Sequence, residues 1–253
     1  LQRYFVSETG WGTNEVTILG EDVHHINRVM RYKEGANIIC NHPDGRAAIC
    51  ELLVITADSV QAEIKQWLNE NVELPIQVTV AQGLPKGDKL ELILQKGTEL
   101  GAYAFIPFQA ERSIVNWDKK KQEKKLIRFN KIVKEASEQS HRNQIPTIYN
   151  TMTVERLIED SAKYDIKLYA YEEQAKVSEY KSFGTVLSNV TTADKILICI
   201  GPEGGFSPEE AGQLNENGFQ AIRLGPRILR TETAALYALA SISYHFEELR
   251  CDS

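Results

Sequence analysis

Cysteine is scarce in this chain: of 253 residues only Cys40, Cys50, Cys199 and Cys251 carry a thiol, and no two form a C-x-x-C pair. That spacing argues against a cysteine-built metal centre, and Cys199 lies inside an apolar strand. Histidine ligands are equally thin, because His24 and His25 would point about 100° apart on a helix with no third ligand nearby. The pair reads as solvent or interface histidines. Also missing is any run of the roughly 18 to 20 apolar residues that a spanning helix needs, and the opening LQRYFVSETG lacks the layout of a secretory signal. The expectation is a cytoplasmic protein with reduced thiols, no metal and no membrane. Cys40 and Cys50 flank the turn signal Pro43-Asp44-Gly45, so a hairpin could set them face to face. Excess positive charge is lacking too. With 29 Lys and Arg against 35 Asp and Glu the net charge is −6, which excludes coating of nucleic acid through a global basic field. Two phosphate signatures are absent: no G-K-[ST] occurs anywhere, and no G-x-G-x-x-G is followed by a suitably placed acid.

What is present divides into two rhythms. Up to about residue 70, short strand signals (Gln2–Val6, Val16–Leu19, Ala36–Cys40, Ala47–Thr56, Val60–Trp67) alternate with turns, and one short helix, Glu21–Arg31, interrupts them. Such spacing predicts a small β-barrel. The polar stretch Asn69 to Pro75 closes it, giving expected domains of 1–72 and 73–253. From Ile76 onward strands alternate with helices: Ile76–Ala81, Asp88–Leu100, Ala104–Phe108, Trp117–Arg142, Thr147–Tyr149, Val154–Lys163, Ile166–Tyr171, a less regular Val177–Asn189, Lys195–Ile200, Phe219–Leu224 and Glu232–Leu249. That alternation implies an α/β domain with a mainly parallel sheet and helices on both faces.

The chemistry concentrates between Lys195 and Leu239. The strand KILICI empties into Gly201-Pro202-Glu203-Gly204-Gly205-Phe206, whose glycines let main chain approach a ligand closely. Ser207-Pro208-Glu209-Glu210 then forms a capping box with proline at the first helical position. A second strand turns at Gly225-Pro226 into Arg227-Ile228-Leu229-Arg230-Thr231-Glu232-Thr233. Two glycine turns leaving successive strands mark a small-molecule site at the carboxyl ends of a parallel sheet, although glycines can also serve tight turns alone. Glu203 would repel an anion, so an uncharged or cationic nucleoside-type ligand fits better than a phosphate.

These two runs closely resemble the bacterial enzymes that methylate uridine N3 in 16S ribosomal RNA, members of the trefoil-knotted SPOUT methyltransferases. Arg28-Val29-Met30-Arg31, Lys96 to Gly101 and Glu135 to Arg142 extend the likeness over the chain. The resemblance implies S-adenosyl-L-methionine as cofactor, a knotted C-terminal domain, a PUA-like barrel at residues 1–72, a homodimer, and 16S rRNA within a small ribosomal subunit or its precursor as partner. It implies cofactor contacts from Gly201, Glu203, Gly204 and Gly205, from Leu224, Gly225, Leu229, Arg230, Thr231 and Thr233, and from the strand end Tyr169-Ala170-Tyr171.

Methylation at N3 must displace a proton, so a base or an anion-stabilising cation is expected. Glu232 is a candidate base and Arg230 a candidate stabiliser, though a first-turn glutamate is also what the helix dipole favours. Expected RNA contacts are Arg3, Arg28 and Arg31 of the barrel, Lys86, Lys96 and Arg142, with a role at a partner subunit as the other reading of the last three. Arg112 opens a stripe of nine basic residues running to Lys134 against only Asp118 and Glu123, a pattern suited to phosphates or to a plain solvated face. A non-catalytic RNA-binding assembly factor that retains the fold is the alternative; a Rossmann-type nucleotide enzyme is disfavoured by the missing fingerprint.

Overall fold

A computed structural model describes residues 1–171, 181–192 and 194–249. By its internal contacts the chain forms two units, Leu1–Glu73 with Lys134–Ile145, and 74–133 with the residues from 146 onward. The recruitment of 134–145 into the first unit is not visible in local sequence.

The first unit holds five strands, β1 (Arg3–Phe5), β2 (Glu15–Leu19), β3 (Asn37–Asn41), β4 (Ala47–Ile55) and β5 (Ser59–Leu68), in the order β1-β3-β4-β5-β2. Alternation sets the buried face: Val16 and Ile18, Ile38 and Cys40, Ala48, Cys50 and Leu52, and Val60 and Ala62 make one core with Tyr4. Helix α1 (Glu21–His24) runs on as a π turn to Val29 and adds Val23 and Ile26. His25 is half-buried and its Nδ1 lies 3.0 Å from the Tyr4 hydroxyl, so it is a structural partner and not a solvent histidine. Cys40 pairs with Ala48 and Cys50 with Ile38, so the two thiols form a diagonal cross-strand pair on the buried face, within hydrogen-bond reach of each other. The turn sets this register, because His42 N–H donates to the Arg46 carbonyl at 2.8 Å and Asn41 pairs with Ala47.

Two expected RNA contacts are buried in this unit. Arg142, 4% exposed, is ion-paired with Glu73, whose carboxylate also accepts from the amides of Asn143 (2.9 Å) and Gln144 (3.1 Å). Arg3, 1% exposed, reaches Glu70 at 3.2 Å and the Arg142 carbonyl at 3.4 Å. Neither guanidinium is free for phosphate; both fasten residues 134–145 to the sheet. A guanidinium among several fixed acceptors has no local sequence signature, which explains the error.

The second unit is an eight-stranded sheet. Its strands are β6 (Gln77–Gly83), β7 (Ala104–Gln109), β8 (Thr147–Ile148), β9 (Met152–Thr153), β10 (Ile166–Ala170), β11 (Lys181–Ser182), β12 (Lys195–Ile200) and β13 (Gln220–Arg223). Seven follow the order β11-β13-β10-β12-β6-β7-β8, β9 pairs with β7, and every pairing is parallel. Of the irregular stretch expected at Val177–Asn189, residues 181–189 carry β11 and helix α5 (Phe183–Leu187), while 177–180 lie outside the described residues.

Helices α2 (Lys89–Glu99), α3 (Lys119–Gln139), α4 (Val154–Glu159), α6 (Pro208–Glu216) and α7 (Thr231–Ser243) complete the architecture. Helix α6 packs Ala211 and Leu214 with Phe206, Phe219, Tyr169 and Cys199. Helix α7 lies instead with α2, β6 and β12. Its alanines permit that close approach, and a Cβ on Gly97 of α2 would stand 2.9 Å from the Phe105 ring and 3.2 Å from Leu239. Strands β12 and β6 are neighbours from which the sheet grows in opposite senses, so the space beyond their carboxyl ends is where such sheets bind ligands. Among the described residues no helix is long and apolar enough to cross a membrane.

Candidate cofactor site and its charged rim

Three chain segments meet at those strand ends. Gln82, the penultimate residue of β6, is 1% exposed, and its Nε2 donates to Thr231 Oγ1 at 2.8 Å and to the Gly83 carbonyl at 2.9 Å. Thr231 in turn donates to the Gly201 carbonyl at 2.6 Å. One amide and one hydroxyl thereby tie β6, the turn after β12 and the start of α7 together. Glycine is required where they pack together: a Cβ on Gly83 would lie 2.6 Å from Pro202 Cδ, and one on Gly201 would lie 3.1 Å from the Gly205 backbone.

The turn after β12 is held from below by the capping box. Ser207 Oγ accepts from Glu210 N–H, and Glu210 accepts from Ser207 N–H at 2.9 Å and from Glu111 N–H at 2.8 Å. Helix α6 thus positions the glycine turn and also secures the loop bearing Arg112. The Arg112 guanidinium donates to the Gly204 carbonyl at 3.2 Å, and a Cβ on Gly204 would stand 2.9 Å from Arg112 Cβ.

Above the turns lies a cavity of about 670 Å³, a size suited to one nucleoside-type ligand. Its wall contains Ala170, Tyr171, Gly201, Glu203, Gly204, Gly205, Leu224, Gly225, Leu229, Arg230 and Thr231, all named from sequence. Tyr169 stands behind the wall, fully buried, with its hydroxyl donating to Asn215 Oδ1 at 3.0 Å and its ring edge-on to Phe206. Thr233 and Glu232 do not line the cavity. Glu232 turns toward α2, its Oε2 3.4 Å from Lys89 Nζ.

Sequence reasoning missed Gln82, Lys89, Arg223 and Arg227. The first had a signal, an amide at the end of a strand just before a glycine, whereas Lys89 at the start of α2 had none. Lys89 joins Glu203 at 2.8 Å, and Glu203 also accepts from Lys86 N–H at 3.1 Å. Partial burial opposes the Glu203 charge, but the Lys89 bond and the amides outweigh it and hold this carboxyl below the usual glutamate range. Lys89 is raised by the same contact.

The remaining wall is cationic, with Arg112, Arg223, Arg227 and Arg230 on its rim. The basic stripe is less uniform than its composition suggests. Lys125 and Arg128 pair with Glu91 at 3.5 and 2.6 Å, and Lys134 pairs with Asp22 and Glu138, whereas Lys119, Lys120, Lys121 and Lys124 are exposed. Lys96 is occupied by Glu99 at 2.8 Å, and Lys86, Arg28 and Arg31 are exposed.

Residues 72–243 match the RNA methyltransferase domain family, and residues 18–65 match the RNA methyltransferase PUA domain. Over its whole length the chain is 49% identical to all of the ribosomal RNA small subunit methyltransferase E of Bacillus subtilis. The chain belongs to the small-subunit ribosomal RNA methyltransferase E family. A methyltransferase E from Neisseria gonorrhoeae, solved bound to S-adenosyl methionine, superposes with TM-score 0.85 at 31% identity, covering 97% of this chain and 98% of the other. A Legionella pneumophila methyltransferase solved with the same cofactor gives TM-score 0.84 at 29% identity, covering 96% and 97%. Family membership places the cavity and its glycine turns in a group whose solved relatives hold this methyl donor.

Proposed function

We propose that this methyltransferase E family member transfers a methyl group from S-adenosyl-L-methionine to N3 of a specific uridine in 16S ribosomal RNA, acting as a cytoplasmic homodimer on the small subunit or its precursor. The observation that carries the reading is the glycine-walled cavity at the β10, β12 and β13 strand ends, present in a chain whose cofactor-bound relatives share its fold over nearly full length. The residues suit the cofactor. Side chains on Gly201 or Gly204 would fill the cradle, the wall is largely backbone and apolar, and Glu203 supplies a carboxylate for a cationic ligand. When bound, the cofactor supplies a methyl already activated by its sulfonium, so the chain's main task is alignment.

Of the expected contacts, Ala170, Tyr171 and the residues of the two turns other than Thr233 line the wall, with Tyr169 supporting them from behind. The trefoil knot is what the family likeness implies, and the Thr231 bond to the Gly201 carbonyl agrees with α7 starting against the first glycine turn. A dimer face is suggested by α7, which carries half-exposed Tyr237 and leads into exposed Tyr244.

The arginines at the cavity mouth suit an anionic partner beside a cationic cofactor. We assign Arg112, Arg227 and Arg230 to RNA phosphates at the cavity mouth, with Arg28 and Arg31 as further contacts in the first unit. Incubating the chain with unmodified small subunits and methyl-labelled cofactor, followed by nucleoside analysis, is expected to yield 3-methyluridine in 16S rRNA. Label in another nucleoside, or none, would refute the reading. Replacing Arg227 or Arg112 with alanine should weaken RNA binding and lower the salt slope by about 1 for each arginine–phosphate pair removed.

A further inference from the structure

Methyl transfer to N3 turns a cationic donor and a neutral imide into two neutral products and a proton, so some group must take that proton. Glu203 is the only carboxylate in the cavity wall among the described residues. Its recorded partners are a cation and a backbone donor, Lys89 at the start of α2 and the Lys86 amide, while Arg112 and Arg230 line the same cavity. Glu232 stands outside the wall, and its buried Oε2 has no donor in hydrogen-bond geometry among the described residues, only the charge contact to Lys89 at 3.4 Å. Two carboxylates from two different segments thus converge on one lysine that itself lines the cavity.

We propose that Glu203 is the proton acceptor and Lys89 the anion-stabilising cation of this reaction, and that Glu232 is a positioning residue acting through Lys89. The inference rests on the uridine-N3 reading above. As the N3–H bond breaks, the proton passes to the Glu203 carboxylate and the charge spreading onto the uracil carbonyl oxygens meets the Lys89 ammonium. The N3 electron pair forms the bond to the methyl carbon while the C–S bonding pair stays on sulfur. Lys89 keeps its proton throughout, and Glu203 afterwards releases its own to solvent. The charges support the assignment: Lys89 with Glu203 and Glu232 sums to −1, matched to the sulfonium before transfer. After transfer the cluster is neutral beside a neutral thioether. Against the opposing effect of partial burial, Lys89 and the backbone amides hold the Glu203 carboxyl below the usual glutamate range, so the carboxylate is ionised at neutral pH.

The experiment compares Glu203→Gln, Lys89→Met, Lys89→Arg, Glu232→Gln and Lys89→Met/Glu232→Gln on 16S-containing subunits, with cofactor affinity measured separately by calorimetry. The expected result for Glu203→Gln is a kcat at saturating cofactor lower by about 10²-fold or more, over and above the weaker cofactor Kd that follows from removing a carboxylate from the wall around a cationic ligand. That deficit should shrink as pH rises and the uracil proton leaves unaided. Lys89→Met should lose a comparable factor, partly restored in Lys89→Arg, and adding Glu232→Gln to Lys89→Met should cost nothing further. The assignment is overturned if Glu203→Gln retains kcat within about threefold, if its loss appears only as weaker cofactor binding, if its deficit is independent of pH, or if the double variant is additive. A wild-type chain that produces no 3-methyluridine removes the underlying reading and this inference with it, and the unsubstituted control tells that failure from the others.

Discussion

Thr231→Val tests the central knot of hydrogen bonds with almost no change of shape. The Thr231 side chain is buried, donating to the Gly201 carbonyl at 2.6 Å and accepting from Gln82 Nε2 at 2.8 Å. Valine replaces the hydroxyl by a methyl of similar size, so the loss is two hydrogen bonds plus the desolvation of what they leave unpaired. Each bond contributes about 0.5–1.5 kcal/mol, and a fully orphaned buried group costs about 1–3 kcal/mol. Neither partner is fully orphaned. Gln82 Nε2 keeps the Gly83 carbonyl at 2.9 Å and can close on the Gly201 carbonyl, now at 3.4 Å. The expected loss is therefore about 1–3 kcal/mol, or about 2–12 °C in Tm at roughly 2–4 °C per kcal/mol for a chain of this size. Calorimetry or urea titration measures it, with Thr233→Val as the control for helix propensity, since Thr233 is exposed on the same first turn and should stay within about 0.5 kcal/mol. Because the lost bonds join the two glycine turns, cofactor affinity should fall with stability. A Thr231→Val protein matching the Thr233→Val protein in Tm, with unchanged cofactor Kd, would refute the claim that this hydroxyl holds the site together.

Three further outcomes follow from other parts of the molecule. Gly204→Val places a branched side chain where even a Cβ is 2.9 Å from Arg112 Cβ, so titration should show cofactor binding weakened at least about tenfold, with some loss of Tm as the Arg112 loop is pushed aside. Glu73→Gln leaves the buried Arg142 charge uncompensated and is expected to cost about 3–5 kcal/mol by urea unfolding, whereas an effect under about 1 kcal/mol would return Arg142 to the candidate RNA contacts. The Glu203 carboxyl is held below its ordinary range, so its contribution to stability is complete above that range and disappears as pH falls through the lower folded value. A carboxyl-carbon NMR titration should find this depression in the wild type and lose it in Lys89→Met; an ordinary value in both would contradict the ion pair.

Local patterns were enough for much of this protein. Period-two burial in the first unit, the alternation of strand and helix after residue 76, and the Ser207–Glu210 capping box all rest on interactions within a few residues, and each appears as its pattern implied. The glycine turns were legible for the same reason: close backbone approach and left-handed φ, as at Gly205 and Gly225, restrict the residue type directly.

Charge was where local reading failed. Arg3 and Arg142 look like any surface arginines until the tertiary fold surrounds them with Glu70, Glu73 and fixed carbonyls, and part of the basic stripe proves to be answered by acids distant in sequence. Glu232 and Lys89, 143 positions apart by their numbering, become neighbours only because α7 packs on α2. By itself the sequence determined the elements, the two glycine turns and the family likeness, since propensity, periodicity and steric demand act along the chain. Only the tertiary structure decided which ionisable side chains face the cavity and which are spent on holding it, because the energy of a charge is set by the partners and the water around it, and those are chosen by the fold.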